Sequence, residues 1–463
     1  MKRDLVTIDD LSNEEIEGLF DLADGYVADL RGQTRVAPGF VLASLFFEPS
    51  TRTRLSFEVA MMRLGGSCVT SASREDSSLS KGESLTDTIK VVGSYADAIV
   101  IRHPVEGSAR LASVMTKVPV VNAGDGGHEH PTQTLCDLYT LWKEKGRIAG
   151  LSVAICGDLK HGRTVHSLSY ALARFGAHIV SVPRHGLELP DYVVDKLRTE
   201  YGSRPERVEA QPTRSFLEGL DAVYITPQKS HQLTLFTDPG ATNAEILPKI
   251  PKIDALYVTR TQRERFDQGD SPDRHDLVLD SEVLRDERLR EAVVMHPLPR
   301  VDEIDSAVDA DPRAAYFRQA ERGVPIRMAL LSFLLGLRGL SPPASPGSPV
   351  KRRGRAKAGG SGAAPRRPAI YRSAAGLKCP NARCISRVEE RFVVPEFVVK
   401  SRDPIELRCL FCERIVRPAF VAEGGGTVFL PAGSPEARVI ATENLVAYES
   451  AEQAERAGKV RTP

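Results

Sequence analysis

Residues 1 to about 340 alternate short apolar runs with helical patterns, and this alternation constrains the fold more than any other feature of the chain. Buried runs of this length predict strands, and a helix between successive strands predicts the crossover connection of a parallel sheet. The predicted strands cover residues 41–47, 98–102, 118–124, 151–157, 178–183, 221–226 and 254–259. We therefore expect an α/β fold with two doubly wound domains and mostly parallel sheets.

The length and charge of the chain set further limits. A chain of 463 residues is too long for one core, and we expect three domains. Its 62 Lys and Arg residues balance 61 Asp and Glu residues, so the chain as a whole has no electrostatic bias toward nucleic acid or an anionic membrane. No apolar run has the length of a signal peptide or of a spanning helix. We predict a cytoplasmic protein without nucleic-acid or membrane partners.

A predicted anion site lies where the strand at 41–47 runs into the next helix. The segment FFEPSTRTRLSFE places Ser50, Thr51, Arg52 and Thr53 at the start of that helix. Free N–H groups at the positive end of the helix dipole, hydroxyl groups and a guanidinium group converge there, as a phosphate requires. The alternative is that Ser or Thr merely caps the helix and that the arginines are solvated.

Two further motifs place polar side chains beside predicted strands. GHEHPTQTLCDL puts His130 and Gln133 around Pro131 at the opening of a helix. AIVIRHP ends a buried strand with Arg102, and open α/β sheets bind ligands at the carboxyl ends of their strands. A histidine before a helix is more often a satisfied polar residue than a catalytic one, so this pattern alone leaves the role of His130 open.

Together, the segments S-T-R-T-R, R-H-P and H-P-x-Q resemble, in the same order, the carbamoyl phosphate site of the aspartate and ornithine carbamoyltransferases. The similarity covers residues 1 to about 338, including MHPLPRVDEI at 295–304 and a closing helix at 325–337. It implies transfer without a covalent intermediate or catalytic cofactor, because preorganised donors stabilise the charge that grows on the carbonyl oxygen. The implied carbamoyl phosphate ligands are Ser50, Thr51, Arg52, Thr53, Ser78, Arg102, His130, Gln133, Leu298 and Pro299.

The resemblance also divides this set by role. The first turn of the helix, with Arg52 and Thr53, is implied to bind the phosphate. The groups implied to contact the carbonyl oxygen are Thr53, Arg102 and His130. The carbamoyl amide is implied to bind Gln133 and the backbone carbonyl groups at 298–299. The implied catalytic residues are Arg52, Thr53, Lys81, Arg102 and His130.

The resemblance favours L-aspartate over ornithine as the acceptor. SSLSKGESL at 77–85 resembles the mobile loop of the aspartate enzymes, in which Lys81 binds an acceptor carboxylate. The family supplies this loop from a neighbouring subunit, which implies a homotrimer with shared active sites. Arg163, Arg260 and Gln262 are the other implied aspartate ligands, and the two arginines supply fixed positive groups that suit two carboxylates. The implied products are N-carbamoyl-L-aspartate and phosphate, in de novo pyrimidine biosynthesis.

A glutamate after the first strand has an implied role in domain closure. In the family such a residue ties the phosphate domain to arginines of the acceptor domain, so Glu48 is expected to meet Arg163 and Arg265. Two points depart from the family pattern. Either Ser77 or Ser78 would reach the phosphate, and we favour Ser78. Residues 227–253 form an expected insertion of unassigned role before the Arg-x-Gln motif.

Four cysteines near the C-terminus predict a structural zinc site. Cys379 and Cys384 form one close pair, and Cys409 and Cys412 form the other, with the spacing of a closed tetrahedral site. CPNARCIS and LRCLFCE also resemble the zinc-binding domain of the aspartate carbamoyltransferase regulatory chain. That chain's nucleotide-binding half has no counterpart here, so we expect weak or absent regulation by nucleotides. Assemblies larger than a trimer, linked through the zinc domain, remain open.

The complete organisation expected from the sequence has five parts. They are a carbamoyl phosphate domain at 1–140 completed by the helix 325–338, an aspartate domain at 141–324, a flexible basic linker at 341–370, a β-rich zinc domain at 371–422 and a tail of unassigned role at 423–463.

Two alternative functions remain. The first is a carbamoyltransferase that uses ornithine or another amine. The second, from a different class, is a nucleic-acid-binding zinc-ribbon protein, which the basic segment KRRGRAK and the four cysteines suggest. A basic linker without aromatic residues is more often a solvated tether.

Overall fold

The computed structural model of the protein describes residues 2–72, 81–183, 186–207, 219–226, 253–260, 278–285, 289–301, 303–340, 370–372, 377–389 and 391–461. The predicted linker at 341–370 and the predicted insertion at 227–253 lie almost entirely outside these ranges. The predicted site residues outside them are Ser77, Ser78, Gln262 and Arg265.

The first domain is built on a four-stranded parallel sheet. Its strands are β1 (Val41–Phe46), β2 (Ser67–Ser71), β3 (Ala98–His103) and β4 (Val120–Asp125). They lie in the order β2-β1-β3-β4. The predicted strands at 41–47, 98–102 and 118–124 are confirmed. β2 was not predicted, because it is a largely exposed edge strand without a buried apolar run.

The second domain carries a six-stranded parallel sheet. Its strands are β5 (Ser152–Gly157), β6 (His178–Pro183), β7 (Glu206–Arg207), β8 (Ala222–Ile225), β9 (Ala255–Val258) and β10 (Val293–Met295). The order is β10-β9-β8-β5-β6-β7, so the chain starts in the middle of the sheet and winds outward in both directions. This is the doubly wound arrangement that the alternating pattern predicted.

Helices cover both sheets and join the two domains. They are α1 (Asn13–Ala28), α2 (Thr51–Arg63), α3 (Leu85–Val92), α4 (Ser108–Met115), α5 (Pro131–Lys145), α6 (Arg163–Arg174), α7 (Asp191–Tyr201) and α8 (Tyr316–Leu334). After the second sheet the chain returns to the first domain, where α8 packs against α1, α2 and α5. Among the described helices, none combines the length and the apolar character needed to cross a lipid bilayer.

Helix α8 is longer than the sequence indicated. The predicted closing helix begins at 325, whereas α8 begins at Tyr316 and contains Pro325 in its interior. The apolar run that marks a buried helix starts only after this proline, and the preceding turns are mostly polar. Those turns are nevertheless helical, and Tyr316, Gln319 and Gly323 are buried in them.

The C-terminal part contains two further sheets. The first is antiparallel, in the order β11-β12-β13-β14, and its strands are β11 (Ile370–Arg372), β12 (Glu396–Arg402), β13 (Ile405–Cys409) and β14 (Ile415–Val416). The second has the order β17-β15-β16-β18, with β15 (Phe420–Glu423), β16 (Val428–Pro431), β17 (Leu445–Tyr448) and β18 (Val460–Arg461). Three short helices accompany them, α9 (Ile385–Val388), α10 (Pro435–Arg438) and α11 (Ala451–Arg456). The segment 423–461, for which the sequence suggested no fold, thus contributes strands β16, β17 and β18 and helices α10 and α11.

The C-terminal part packs directly on the first domain. One hydrophobic cluster contains Leu85 and Ile89 of α3 together with Ile385 and Phe397 beside the cysteines. A glycine permits a close approach: a Cβ atom on Gly107 would lie 2.7–2.9 Å from atoms of Phe411. Since a real Cβ atom cannot approach so closely, only glycine fits at this contact.

Candidate active site and metal centre

The predicted anion site forms at the N-terminus of α2. Ser50 is the N-cap residue, and its side chain makes no capping hydrogen bond. Thr51, Arg52 and Thr53 follow in the first turn, whose N–H groups have no partner within the helix. Thr53 is buried, whereas Thr51 and Arg52 are exposed. The hydroxyl groups, the N–H groups and the helix dipole together suit an anion such as phosphate.

Arg52 links this helix to the loop that follows the last strand of the second sheet. Its Nη2 atom donates a hydrogen bond to the carbonyl oxygen of Leu298 at 2.5 Å. Leu298 has a φ of 51°, a left-handed conformation that is uncommon for a non-glycine residue and is often found at functional sites. Burial, and then the positive charge of Arg260, lower the pKa of Arg52. The two predicted substrate-binding arginines therefore lie close enough to repel each other, and this repulsion favours an anionic ligand near them.

Glu48 joins arginines of both domains. Its Oε1 atom lies 2.7 Å from Nη2 of Arg102 and 2.6 Å from Nη2 of Arg163. Its Oε2 atom accepts a second hydrogen bond from Arg163 at 3.1 Å. Burial alone would raise the pKa of Glu48, but the hydrogen bonds and charges of the two arginines outweigh it and hold this pKa at about 2. Arg163, one of the predicted aspartate ligands, donates hydrogen bonds from its guanidinium to the carboxylate of Glu48 and to the carbonyl oxygen of Gly126.

His130 caps helix α5 as a neutral imidazole. Its Nδ1 atom accepts a hydrogen bond from the backbone N–H of Gln133 at 3.3 Å. Burial, followed by the charges of Arg102, Arg163 and Arg327, lowers the pKa of His130 well below its usual range. A neutral ring that accepts at Nδ1 carries its proton on Nε2, so His130 is a donor at that atom.

A buried carboxyl group that the sequence did not single out lies behind Gln133. Asp137, one helical turn along α5, accepts from Gln133 Nε2 and from Gln319 Nε2, each at 2.7 Å, and from the Tyr257 hydroxyl at 3.1 Å. Burial raises the pKa of Asp137 to about 7, while these three hydrogen bonds act in the opposite direction. The i, i+4 spacing of Gln133 and Asp137 is visible in the sequence, but the other two partners are remote in the chain.

The loop that carries Leu298 is held by a buried histidine. His296 Nδ1 accepts from the backbone N–H of Leu298 at 2.8 Å, and its Nε2 atom lies 2.7 Å from Glu303 Oε1. The backbone N–H of His296 donates to Gln319 Oε1 at 3.0 Å. These contacts orient the carbonyl group that Arg52 reaches, and the sequence offered no pattern from which to predict them.

The structure thus brings most of the described candidates together at the carboxyl ends of the two sheets. Lys81 is exposed, just before α3, and no hydrogen bond or ion pair joins it to the other candidate site residues in the described ranges. The backbone N–H of Leu85, in the first turn of α3, is bonded to Glu389 of the C-terminal part at 3.1 Å.

The four cysteines near the C-terminus converge on one point. The Sγ atoms of Cys379, Cys384, Cys409 and Cys412 lie within 4.8 Å of one another, and all four side chains are buried. The separations of 3.4 Å for Cys379–Cys412 and 3.8 Å for Cys384–Cys409 approach the roughly 3.8 Å expected for sulfur atoms about 2.3 Å from one tetrahedral zinc ion. The donor set and its burial therefore fit structural zinc.

The metal centre is tied to both other domains by charged groups. Glu413, the residue after Cys412, lies 2.8 Å from Lys196 Nζ, and Asp9 lies at the same distance from that nitrogen. Burial would lower the pKa of Lys196, but the carboxylates of Glu413, Asp9 and Glu129 hold it well above its usual value. Lys196 thus supplies a cation among these acidic groups.

A backbone connection reinforces this contact. The backbone N–H of Ile385 donates to the carbonyl oxygen of Glu106 at 2.9 Å. The backbone N–H of Glu106 donates to the carbonyl oxygen of Arg383 at 3.2 Å. Asn381 donates to the Glu106 carboxylate at 2.6 Å. The metal-binding part is therefore bonded to the loop after β3 by main-chain and side-chain groups.

Three family models match the chain. Residues 3–143 match the aspartate/ornithine carbamoyltransferase carbamoyl-P binding domain, and residues 237–334 match the Asp/Orn binding domain of the same family. Residues 372–420 match the metal binding domain of the aspartate carbamoyltransferase regulatory chain.

Similar proteins agree with these matches. The aspartate carbamoyltransferase catalytic subunit of Thermococcus kodakarensis is 45% identical over 347 residues, which are 73% of this chain and 98% of that protein. The catalytic subunit of the M. jannaschii aspartate transcarbamoylase has 41% identity and a TM-score of 0.57, over 72% of this chain and 98% of its own.

A third relative is the aspartate transcarbamoylase of Trypanosoma cruzi, solved in complex with carbamoyl phosphate and aspartate. It has 34% identity and a TM-score of 0.55, over 72% of this chain and 96% of its own. The relatives account for the first two domains and the third family model for the cysteine cluster, so this chain belongs to the aspartate carbamoyltransferase family and joins its catalytic domains to the metal-binding domain of its regulatory chain.

Proposed function

We propose that the protein transfers the carbamoyl group of carbamoyl phosphate to the amine of L-aspartate, giving N-carbamoyl-L-aspartate and phosphate, in de novo pyrimidine biosynthesis. The observation that carries the proposal is the bond from Arg52 to the Leu298 carbonyl oxygen at 2.5 Å. It brings the anion site of α2 beside the carbonyl groups of the 298–299 loop. A ligand with a phosphate at one end and an amide at the other suits this arrangement.

The phosphate would bind at the first turn of α2. Ser50, Thr51, Arg52 and Thr53 offer hydroxyl groups, a guanidinium group and helix N–H groups there. Ser78 is the proposed further ligand, from the loop of a neighbouring subunit. The resulting charge neutralisation would make phosphate a better leaving group.

The carbonyl oxygen would be surrounded by donors. Thr53, Arg102 and neutral His130 are the proposed groups, and they would strengthen their bonds as negative charge develops on that oxygen. The aspartate amine forms the new C–N bond, the C–O bond to phosphate breaks, and the proton lost by the amine passes to the departing phosphate. No side-chain nucleophile takes part.

The amide end of carbamoyl phosphate would donate its N–H groups to Gln133 and to the carbonyl oxygens of Leu298 and Pro299. Leu298 is already held by His296 and Arg52. Fixing these acceptors in advance reduces the entropy that binding must overcome.

L-Aspartate would bind between the domains. Lys81 of a neighbouring subunit, Arg260 and Gln262 are the proposed carboxylate ligands, and Arg163 would act both there and on Glu48. Arg265 is the proposed second partner of Glu48 on domain closure. Because Lys81 and Ser78 would come from a neighbouring subunit, the active sites would be shared between subunits. The proposed active assembly is a homotrimer, as the resemblance to the family implies.

The proposed roles extend to the whole chain. Residues 1–140 with the helix 325–338 would bind carbamoyl phosphate, and 141–324 would bind aspartate. Residues 371–422 would hold structural zinc, and the sheet over 420–461 would extend that module. We place the protein in the cytoplasm, since a cluster of four thiols that binds metal persists in a reducing compartment. The match to the regulatory chain covers its metal binding domain at residues 372–420, and we expect that ATP and CTP do not shift the aspartate saturation curve.

The test is a product assay with purified protein, carbamoyl phosphate and a panel of amines including L-aspartate and L-ornithine. N-carbamoyl-L-aspartate should be the main product. Preferential carbamoylation of ornithine would support the alternative acceptor instead. A salt-sensitive gel shift with DNA or RNA would support the zinc-ribbon alternative, and we expect none. Mass measurement in solution should give a multiple of three chains.

A further inference from the structure

The carbamoyl donor has to be distinguished from other acyl phosphates, and the only group that sets it apart is its amino group. In the proposed site this group meets Gln133, whose side chain ends in one acceptor and one NH₂ donor. Only the orientation with Oε1 toward the substrate can accept from an amino group. The orientation of the Gln133 amide therefore decides whether the site favours a carbamoyl group.

Gln133 does not set its orientation alone. Its Nε2 atom donates to Asp137 Oδ1 at 2.7 Å. Asp137 is buried, and the same oxygen accepts from Gln319 Nε2 at 2.7 Å. As long as this oxygen is an acceptor, the Gln133 NH₂ group faces it and Oε1 is directed elsewhere.

A main-chain group ensures that this oxygen remains an acceptor. Gln319 Oε1 accepts from the backbone N–H of His296 at 3.0 Å, and a backbone N–H can only donate. Gln319 must therefore present its NH₂ group to Asp137. The Tyr257 hydroxyl, at 3.1 Å from Asp137 Oδ2, can donate or accept, so it can adapt to either state of the carboxyl group.

We propose that Asp137 is a positioning residue for donor selection: together with Gln319 it orients the Gln133 side chain so that Oε1 accepts from the amino group of carbamoyl phosphate. The inference rests on the proposed function, in which Gln133 binds that amino group. Asp137 and Gln319 would thus contribute to recognition of the substrate without touching it. The requirement is for an acceptor at position 137 and not for a negative charge.

The test compares carbamoyl phosphate with acetyl phosphate, in which a methyl group replaces the amino group. The readout is kcat/KM for carbamoyl phosphate divided by the association constant (1/Ki) of acetyl phosphate, which is measured as a competitive inhibitor. Asp137→Leu keeps the size of the side chain and removes the acceptor, so this ratio should fall about tenfold, as expected for loss of one hydrogen bond. Asp137→Ala is the second variant, in case the leucine variant does not fold.

The conservative variant separates positioning from a general structural role. In Asp137→Asn, the side-chain oxygen should turn toward the two glutamines and the NH₂ group toward the Tyr257 hydroxyl, which can accept. The ratio should then stay within about threefold of the wild-type value. Thr140→Val, a buried polar-to-apolar change on the same helix, is the matched control and should leave the ratio unchanged.

A double-mutant comparison separates the role of Gln133 from that of Asp137. Gln133→Ala should lower the ratio, and adding Asp137→Leu to it should lower the ratio no further. If Gln133→Ala leaves the ratio unchanged, the proposed assignment of Gln133 is wrong. If Gln133→Ala lowers the ratio but Asp137→Leu alone does not, or if the leucine variant weakens both ligands equally, the inference about Asp137 is wrong and the proposed function stands.

Discussion

Arg163, at the start of α6 in the second domain, places both terminal nitrogens of its guanidinium on the carboxylate of Glu48 in the first domain, at 2.6 and 3.1 Å. Such a two-point contact fixes direction as well as distance. Arg102 shares the same carboxylate at 2.7 Å, so one side chain connects the end of β3 with the second sheet. The relative position of the two proposed substrate subsites thus depends on Glu48.

Replacing Glu48 should therefore impair the acceptor side of the reaction. Glu48→Gln keeps the shape and removes the charge, which leaves the buried guanidinium of Arg163 and the half-buried guanidinium of Arg102 without their anion. We expect kcat/KM for L-aspartate to fall roughly tenfold or more, with a smaller effect on carbamoyl phosphate binding. Steady-state kinetics measure both. Glu17→Gln, on the exposed face of α1, is the control, and equal kinetics for the two variants would contradict the bridging role.

The contact of Glu48 with Arg163 and Arg102 predicts a pH dependence of the stability of the fold. The folded pKa of Glu48 is about 2, below the ordinary value of 4.5. A depressed pKa contributes stability that is present above the unfolded value and is lost as pH falls toward the folded value. The contribution, of order 3 kcal/mol at neutral pH, should decline between about pH 4.5 and 2. Denaturant unfolding of wild type and Glu48→Gln across this range should show the difference between them shrinking, whereas a constant difference would rule out the linkage.

Replacements of Arg52 and of Arg260 should have separable effects. Arg52→Ala should abolish most turnover and phosphate binding, because Arg52 lies at the proposed phosphate site. Arg260→Ala should chiefly raise the KM for L-aspartate. Isothermal titration with phosphate and aspartate saturation curves distinguish the two, and circular dichroism should show an unchanged fold. Arg63→Ala, at the C-terminal end of the same helix α2, should behave as wild type.

Zinc removal should destabilise the C-terminal part and its contact with the other domains. Zinc binding by four thiolates can supply roughly 10 kcal/mol to the folding of a small module. A chelator, or Cys409→Ser, should lower the metal content and the thermal midpoint together. The catalytic domains should retain helical structure, as they have their own core. Loss of metal without any change in thermal unfolding would argue against a structural role.

A charge at the metal centre allows docking to be tested with zinc retained. Glu413→Gln leaves the cysteines intact but removes one of the two carboxylates 2.8 Å from buried Lys196. A loss of roughly 1–3 kcal/mol in the free energy of unfolding is expected, with zinc content unchanged. The control is Arg438→Ala, whose ion pair with Asp403 is largely exposed and should contribute less than about 1 kcal/mol. Similar losses in both variants would show that Glu413 is not a specific contact.

The sequence by itself determined the local elements and the chemistry that each could carry. Apolar runs of strand length predicted β1, β3, β4, β5, β6, β8 and β9, because burial on both faces demands a continuous apolar segment. The first turn of α2 and the two cysteine pairs were recognisable for a different reason, because each motif lies within a few consecutive residues. Exposed β2, the polar first turns of α8 and the sheet over 420–461 carry no such pattern.

Only the tertiary structure decided how these local pieces meet. The sequence around Asp137 gives no sign of two of its partners, because Gln319 is 182 positions away and Tyr257 is 120 positions away. Both donate hydrogen bonds to the Asp137 carboxylate. The contact of Glu413 with Lys196, across 217 positions, likewise has no local signature. Hydrogen bonds and ion pairs depend on distances of a few ångströms, and contacts between remote segments arise only when the packing of helices on the sheets brings those segments together.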